Sequence, residues 1–382
     1  MSFQYIVLVT SVLALALAGG LYHFLHSRFG YGEDFPNTVY SRLMPSTSFA
    51  PETVVELDSP PGNIAVSRNG RIFFNFHPEY HPSTKIAELQ NDKQWIPYPN
   101  VSFQNQVESV LSMRVDSRDR LWLLDYGHHG WSTPKLFAFH LSSDDDDMVY
   151  CFPREVAGFG SMLNDFNISP DGEYIYMADT SILGASPALI VFDVQRRHAH
   201  RLLSAEPALM GRSAFLHVKG HRIGLFGPLG MRINVDSLAL SRDGASLYFS
   251  PLTGTDLLCM STADIHTALQ QHPSSFTLPS SAINSSLVRV VLQDKPATDG
   301  ISTDHLGNVW MTALEHSSIA LARRDRADTS PCAPLKTHNV ITNTDLLQWP
   351  DGFSFGPGAC PSAMPWCDVS LRLLSASRLT AL

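Results

Sequence analysis

Charge is scarce in this chain. Only 16% of its 382 residues are Asp, Glu, Lys or Arg, with 36 carboxylates against 27 basic side chains. Nucleic acid requires a basic patch to neutralise its phosphates; none is present, so nucleic acid is excluded as a partner. Cysteine is also scarce. Cys151, Cys259, Cys332, Cys360 and Cys367 are too few and too scattered for a disulfide scaffold, and no CxxC pair offers a zinc site. Cys360 and Cys367 could close a small loop in an oxidising compartment. There is no GxSxG elbow, no P-loop and no dinucleotide fingerprint. Helical periodicity is nearly missing as well. TADIHTALQQ from Thr262 is the one short helix predicted, with Thr262 as its cap and Ile265 and Leu269 on one side.

What is present begins with a nearly unbroken apolar stretch from Tyr5 to Leu25, with no Lys or Arg ahead of it. About 20 such residues are enough to cross a bilayer. Ala16-Leu17-Ala18 before Gly19 has the small-residue pattern of a signal-peptidase site, so one reading is a removed signal peptide. The other is a retained anchor, which would make the membrane a partner. Either places the chain outside the cytoplasm, secreted or anchored facing a non-cytoplasmic compartment. Residues 1–28 are assigned to this segment. Residues 29–52, with Pro36, Pro45 and Pro51, read as a linker.

From residue 53 a unit recurs: a short strand, a tight turn, then an apolar strand. The copies are IAVSRNGRIFFNF from Ile64, MRVDSRDRLWLLD from Met113, FNISPDGEYIYMAD from Phe166, LALSRDGASLYFS from Leu238 and ISTDHLGNVWMTA from Ile301. A decayed sixth, FSFGPG, starts at Phe353. Gly70, Gly172, Gly244 and Gly307 mark the turns, with Arg120 at that place in the second copy. The spacing matches one four-stranded blade per copy, and the chain reads as an all-β, six-bladed β-propeller over residues 53–358. KLFAFHL from Lys135, ALIVFDV from Ala188, RIGLFG from Arg222 and SLVRVVL from Ser286 are the outer-strand candidates. Thr53–Leu57 is expected to complete the last blade from outside, because an open ring exposes strand edges. The proline-rich tail, 359–382, implies that the last blade is incomplete.

The repeat supplies a register. Eight residues before the turn glycine stand Asn164, Asp236 and Asp299, and Asp351 fits if the last turn has lost one residue. Gly62 and Ser112 hold the place in the first two copies. This position opens the innermost strand, so the column converges on one end of the central channel. Oxygen donors around an axis suit one hard divalent cation, calcium first. The competing reading is an Asx-turn at each strand start. Arg232, just ahead of Asp236, could bind an anionic group of a small-molecule ligand, or form a salt bridge within the propeller. His128, with His129 and Trp131, lies in a loop that could overhang the channel. Asp144–Asp147 reads as a solvated hairpin tip, since it lacks the ligand spacing of a calcium loop.

LWLLDYG, LNDFNISPDGEYIYMADTS, PALIVFDV, GMRINVDSLALSRDGASLYFSPLTG, TDGISTDHLGNVWMTALEHSSI and LQWPDGFSF resemble the yellow / major royal jelly protein family over roughly residues 50–356. The resemblance implies a six-bladed propeller, usually secreted. It also implies a distant tie to the gluconolactonase / senescence-marker-protein group, whose propellers hold a divalent metal in the channel. By motif, Asn164 in LND and Asp236 would be metal ligands, and Asp299 in TDG both ligand and catalytic base. Where those lactonases carry a glutamate ligand in the first blade, this chain has Gly62-Asn63. The activities implied are lactone hydrolysis or a tautomerase-like isomerisation, and the alternative is non-catalytic ligand binding or a structural role.

Overall fold

The computed structural model describes residues 3–36, 53–90, 94–225, 227–304, 306–325, 327–357 and 369–375. Five antiparallel four-stranded sheets follow one another in strict chain order, and a two-stranded sheet closes the series. Their inner strands are Pro61–Val66, Val110–Val115, Leu163–Ile168, Val235–Leu240, Ile301–Thr303 and Pro350–Pro357. Each inner strand packs beside the next, and the sixth packs back on the first. The six repeats are therefore the six blades of a propeller.

Alternation explains why the strands stack as they do. In blade 2, Trp122 and Leu124 face blade 3, where Phe166, Ile175 and Phe192 meet them; Leu121 and Leu123 face the other way, toward Phe73 and Tyr98 of blade 1. Each large side chain buried this way contributes about 1.5–3 kcal/mol. The tight turns are as expected in four blades, with Gly70, Gly172, Gly244 and Gly307 all at positive φ. In blade 2 the left-handed position is Asp119 (φ 57°) rather than Arg120, which belongs to the following strand. The acidic run is not simply solvated: Asp144 accepts from Arg71 and Tyr98, and Asp147 from Arg120.

Thr262–Gln271 is a helix, as the sequence indicates, but Ser261 takes the cap position without a side-chain bond. Cys259 and Cys332 form a disulfide joining blade 4 to blade 5. Cys360 and Cys367 lie outside the described residues. Thr53–Leu57 forms no strand. The seam between blades 6 and 1 is held instead by Val66 N–H donating to Ser354 Oγ (3.1 Å) and by Gly352 pressing on Asn63, where a Cβ would sit 3.1 Å from Oδ1.

One addition has no counterpart in the repeat. Between blades 3 and 4 the hairpin Ala214–Val218 and His221–Ile223 rises from the ring, so RIGLFG is not an outer strand. Glu33–Asp34 joins it as a parallel strand. Phe35 N–H donates to Phe215 O, Gly32 N–H to Pro228 O and Gly230 N–H to Gly30 O, so residues 30–35 form a strap and not a linker. Phe35, Leu216 and Val218 pack on Leu252, Ala297, Leu314 and Trp349, loop residues of blades 4 and 5. The strap and hairpin thus cap the end of the propeller where the inner strands begin. The helix Phe3–Phe29 leads into the strap. Among the described residues, no helix is long and apolar enough to cross a membrane.

Candidate functional site

Beneath the cap, each inner strand opens with an irregularity. In blades 1, 2, 3, 4 and 6 the pairing register shifts at the first residues of the strand. A bulge re-aims the side chain that carries it. Asn63, Asp165, Asp236 and Asp351 all sit in these bulges, and Ser112 sits at the edge of one. Asp299 holds the same place in blade 5, with its backbone N–H donating to Thr312 Oγ1 (2.9 Å). The polar column is therefore a product of a repeated bulge.

The column divides in two. On the side of blades 1–3, Arg114 bridges its two neighbouring blades: Nη1 donates to Asn63 Oδ1 (2.7 Å), and Nη2 donates to both oxygens of Asp165 (2.8 and 2.9 Å). Ser112 Oγ adds a bond to Asp165 Oδ1 (2.8 Å). Burial raises the Asp165 pKa, opposed by Arg114 and Ser112. On the side of blades 4–6 stand Asp236, Asp299 and Asp351. Burial first, then the charges of Asp299 and Asp165, hold Asp236 well above the usual carboxylate range. Asp351 is held up by burial and by Asp299, Asp236 and Asp165. Asp299, whose carboxyl is within hydrogen-bonding reach of Asp236, is pushed up to about 6, chiefly by burial, while Trp349 Nε1–H (2.5 Å to Oδ2) works the other way. Asp299 and Asp351 keep some accessible surface although protein surrounds them, so they face the channel.

The structure brings together three of the residues singled out in the sequence: Asp236, Asp299 and Asp351. It shifts a fourth by one position. Asn164 is half-buried and its side chain makes no hydrogen bond; its neighbour Asp165 is the residue locked to Arg114. Arg232 lies under the strap, with Nη2 3.2 Å from where a Cβ on Gly30 would be, and its enclosed Nε has no partner. His128 lies at the rim with its ring exposed, beside an open cavity of about 340 Å³ also lined by His81, Glu108 and Ser109. Its backbone is left-handed, as are those of Gly127, His129 and Gly130.

Sequence reasoning missed Arg114, Asp165, Thr180, Lys295 and Trp349. Thr180 Oγ1 donates to Asp236 Oδ1 (3.3 Å). Lys295 is 1% exposed and has one acceptor, Pro296 O (3.0 Å). Burial pulls its amine down to about 7, against the pull of Asp256 and Asp236. Its signal in the sequence was its place in the connection leading to Asp299.

The resemblance read from the sequence implies a hard cation for such a channel. The donor chemistry fits: oxygen ligands, with negative charge that no basic side chain in contact offsets. Among the described residues, however, no three His, Cys, Asp or Glu side chains converge as a ready metal cage.

Fold and site together define a six-bladed propeller with an acidic, capped channel mouth. The family description Major royal jelly protein matches residues 108–355, and the chain belongs to that family. Major royal jelly protein 5 of Apis mellifera is 27% identical over 186 residues, 44% of this chain and 29% of that protein. Major royal jelly protein 7 of Apis mellifera is 28% identical over 193 residues, 47% of this chain and 40% of that one. The chain thus spans well under two thirds of these relatives. Among solved structures, a gluconolactonase from Xanthomonas campestris is similar at 12% identity and TM-score 0.47, covering 80% of this chain and 82% of its own. A calcium-binding regucalcin from Agrobacterium tumefaciens stands at 11% identity and TM-score 0.47, covering 84% and 94%. Both likenesses are loose, and the architecture rests on the strand order above.

Proposed function

We propose that this is an exported propeller that binds a small polar molecule at its channel mouth, with Asp236, Asp299 and Asp351 as the working groups. One observation carries the reading: three carboxylates from successive blades share a buried space without a basic partner in contact. A fold that keeps such a cluster needs protons, a cation or a cationic ligand to offset it. A divalent cation, calcium first, would be held by Asp236 and Asp299, with Asp351 and the free Asn164 amide nearby. When bound, such an ion supplies Lewis-acid polarisation of a carbonyl oxygen. Asp299 orients or deprotonates a water: its carboxyl titrates at about 6, near the operating range of a general base, and Trp349 fixes its orientation. Lactone hydrolysis or a related isomerisation is the chemistry these groups suit, in keeping with the motif likeness set out above.

The same three carboxylates, with no basic side chain in contact, also suit a second reading, metal-free binding of a cationic ligand. Export is supported by the N-terminal apolar stretch and by the Cys259–Cys332 disulfide, a bond that persists in oxidising compartments. The deciding experiment is metal content and calcium-dependent melting of the full chain beside Asp299→Asn. One bound ion with a calcium-induced rise in Tm, both lost in the variant, is the expected result and justifies a lactone screen. If the wild type holds no ion and its Tm ignores calcium, the metal reading fails and the cationic-ligand reading takes its place.

A further inference from the structure

The two ends of the propeller are unlike. Loops between second and third strands, and the connections between blades, emerge at the channel mouth; the tight glycine turns lie at the opposite end. Large apolar side chains stand exposed at the mouth: Tyr31 (60%), Trp131 (70%), Phe159 (69%), Leu183 (38%), Met210 (40%) and Leu225 (39%). At the tight-turn end, among the described residues, Leu306 of blade 5 and Trp95 at the start of the outer strand of blade 1 are exposed in this way, on blades that are not neighbours. A set of exposed aromatics and leucines concentrated at one end marks an interaction surface.

Trp131, Phe159 and Leu183 sit on linked loops. The rings of Trp131 and Phe159 meet edge to face at 4.9 Å. Gly160 N–H donates to His129 O, and Gly184 N–H to Gly160 O, which ties the three loops carrying Trp131, Phe159 and Leu183 together. Arg28, at the end of the N-terminal helix, donates from Nη1 to Gly184 O (3.2 Å). The helix therefore leaves the propeller beside this patch. Its own Leu15, Leu17 and Leu21 are at least 60% exposed, and Ala14–Leu21 carries no polar side chain. A helical stretch that is apolar all round favours apolar surroundings.

We propose that the mouth end of the propeller rests on a phospholipid bilayer. Trp131, Phe159 and Leu183 insert at the interface, and the helix enters the same leaflet beside them. The contact is apolar insertion, carried by Trp131, Phe159 and Leu183. It needs no spanning helix, and it goes beyond the channel chemistry because neither depends on the other.

The test uses the full chain with phosphatidylcholine vesicles, plain or carrying brominated acyl chains, which quench tryptophan on contact. Trp131 is read as wild type minus Trp131→Phe; the opposite end is read by Leu306→Trp in the Trp131→Phe chain. Expected are loss of most of the Trp131 signal and none of the Leu306→Trp signal. Phe159→Ser with Leu183→Ser should weaken partitioning at least about tenfold, the loss from returning a large apolar side chain to water. The proposal is overturned if the chain ignores vesicles, if both ends are quenched alike, or if the double substitution changes nothing. A concentration-dependent dimer that hides Trp131 from lipid would overturn it too and assign the patch to a second copy.

Discussion

The two sides of the channel are made of the same strand position and behave in opposite ways. In blades 1–3 that position carries Asn63, Ser112 and Asp165, and one cation, Arg114, satisfies all three blades at once. In blades 4–6 it carries Asp236, Asp299 and Asp351, and no basic side chain contacts them. The first side is a closed hydrogen-bond network whose value is structural. The second crowds three buried carboxyls together, and burial with repulsion from neighbouring carboxylates holds all three above the usual carboxylate range. The proposed function rests on this difference between the two sides of a pseudo-symmetric ring.

The contrast can be broken from either side. Arg114→Met should have the largest effect: it leaves Asp165 buried without its partner and costs about 3–5 kcal/mol in a denaturant titration. A cost no greater than that of an exposed charge would mean the network is slack and the two sides are alike. Asp299→Asn should act next, through pH. A carboxylate raised from 3.8 to about 6 binds more protons folded than unfolded, so wild-type stability falls as pH rises through that window. The fall amounts to at most about 3 kcal/mol, less where channel water screens the charge. Asp236 and Asp351, also raised, extend the fall upward. The variant should flatten the lower part of the curve, and an unchanged curve would place the uncompensated charge elsewhere. Trp349→Phe should be mildest. Removing the N–H to Asp299 Oδ2 shifts the same titration upward and costs about 1 kcal/mol, and no shift would mean the tryptophan serves only the cap.

The blades were legible because each carries its own turn, and a residue with positive φ leaves a mark in the sequence four times out of five as glycine. Asp119 is the fifth, and an aspartate in that conformation does not announce itself. The site was legible only to within one residue. Counting from the left-handed residue, Asn63, Ser112 and Asp165 lie seven positions back, while Asp236 and Asp299 lie eight. A uniform count lands on Asp236 and Asp299 but picks Asn164 for Asp165 and Gly62 for Asn63. It reaches Ser112 only because Arg120 stands one place past the true turn. The placement of a bulge depends on pairing with the next strand, and one strand's residues do not encode it. Arg114 and Lys295 escaped for another reason: a buried cation reads like a surface one until its neighbours are known.

The strap has a consequence in time. Glu33 pairs with Ala214 and Asp34 with Phe215, residues separated by some 180 positions of chain. At a synthesis rate of about 5–20 residues per second, the strap emerges roughly 10–40 s before its partner strand exists. Blades 1 to 3 can assemble in that interval, while the cap, and the roof over the carboxylates, must wait for the hairpin. Any factor that holds or cuts the N-terminus during those seconds acts before the channel mouth has been closed.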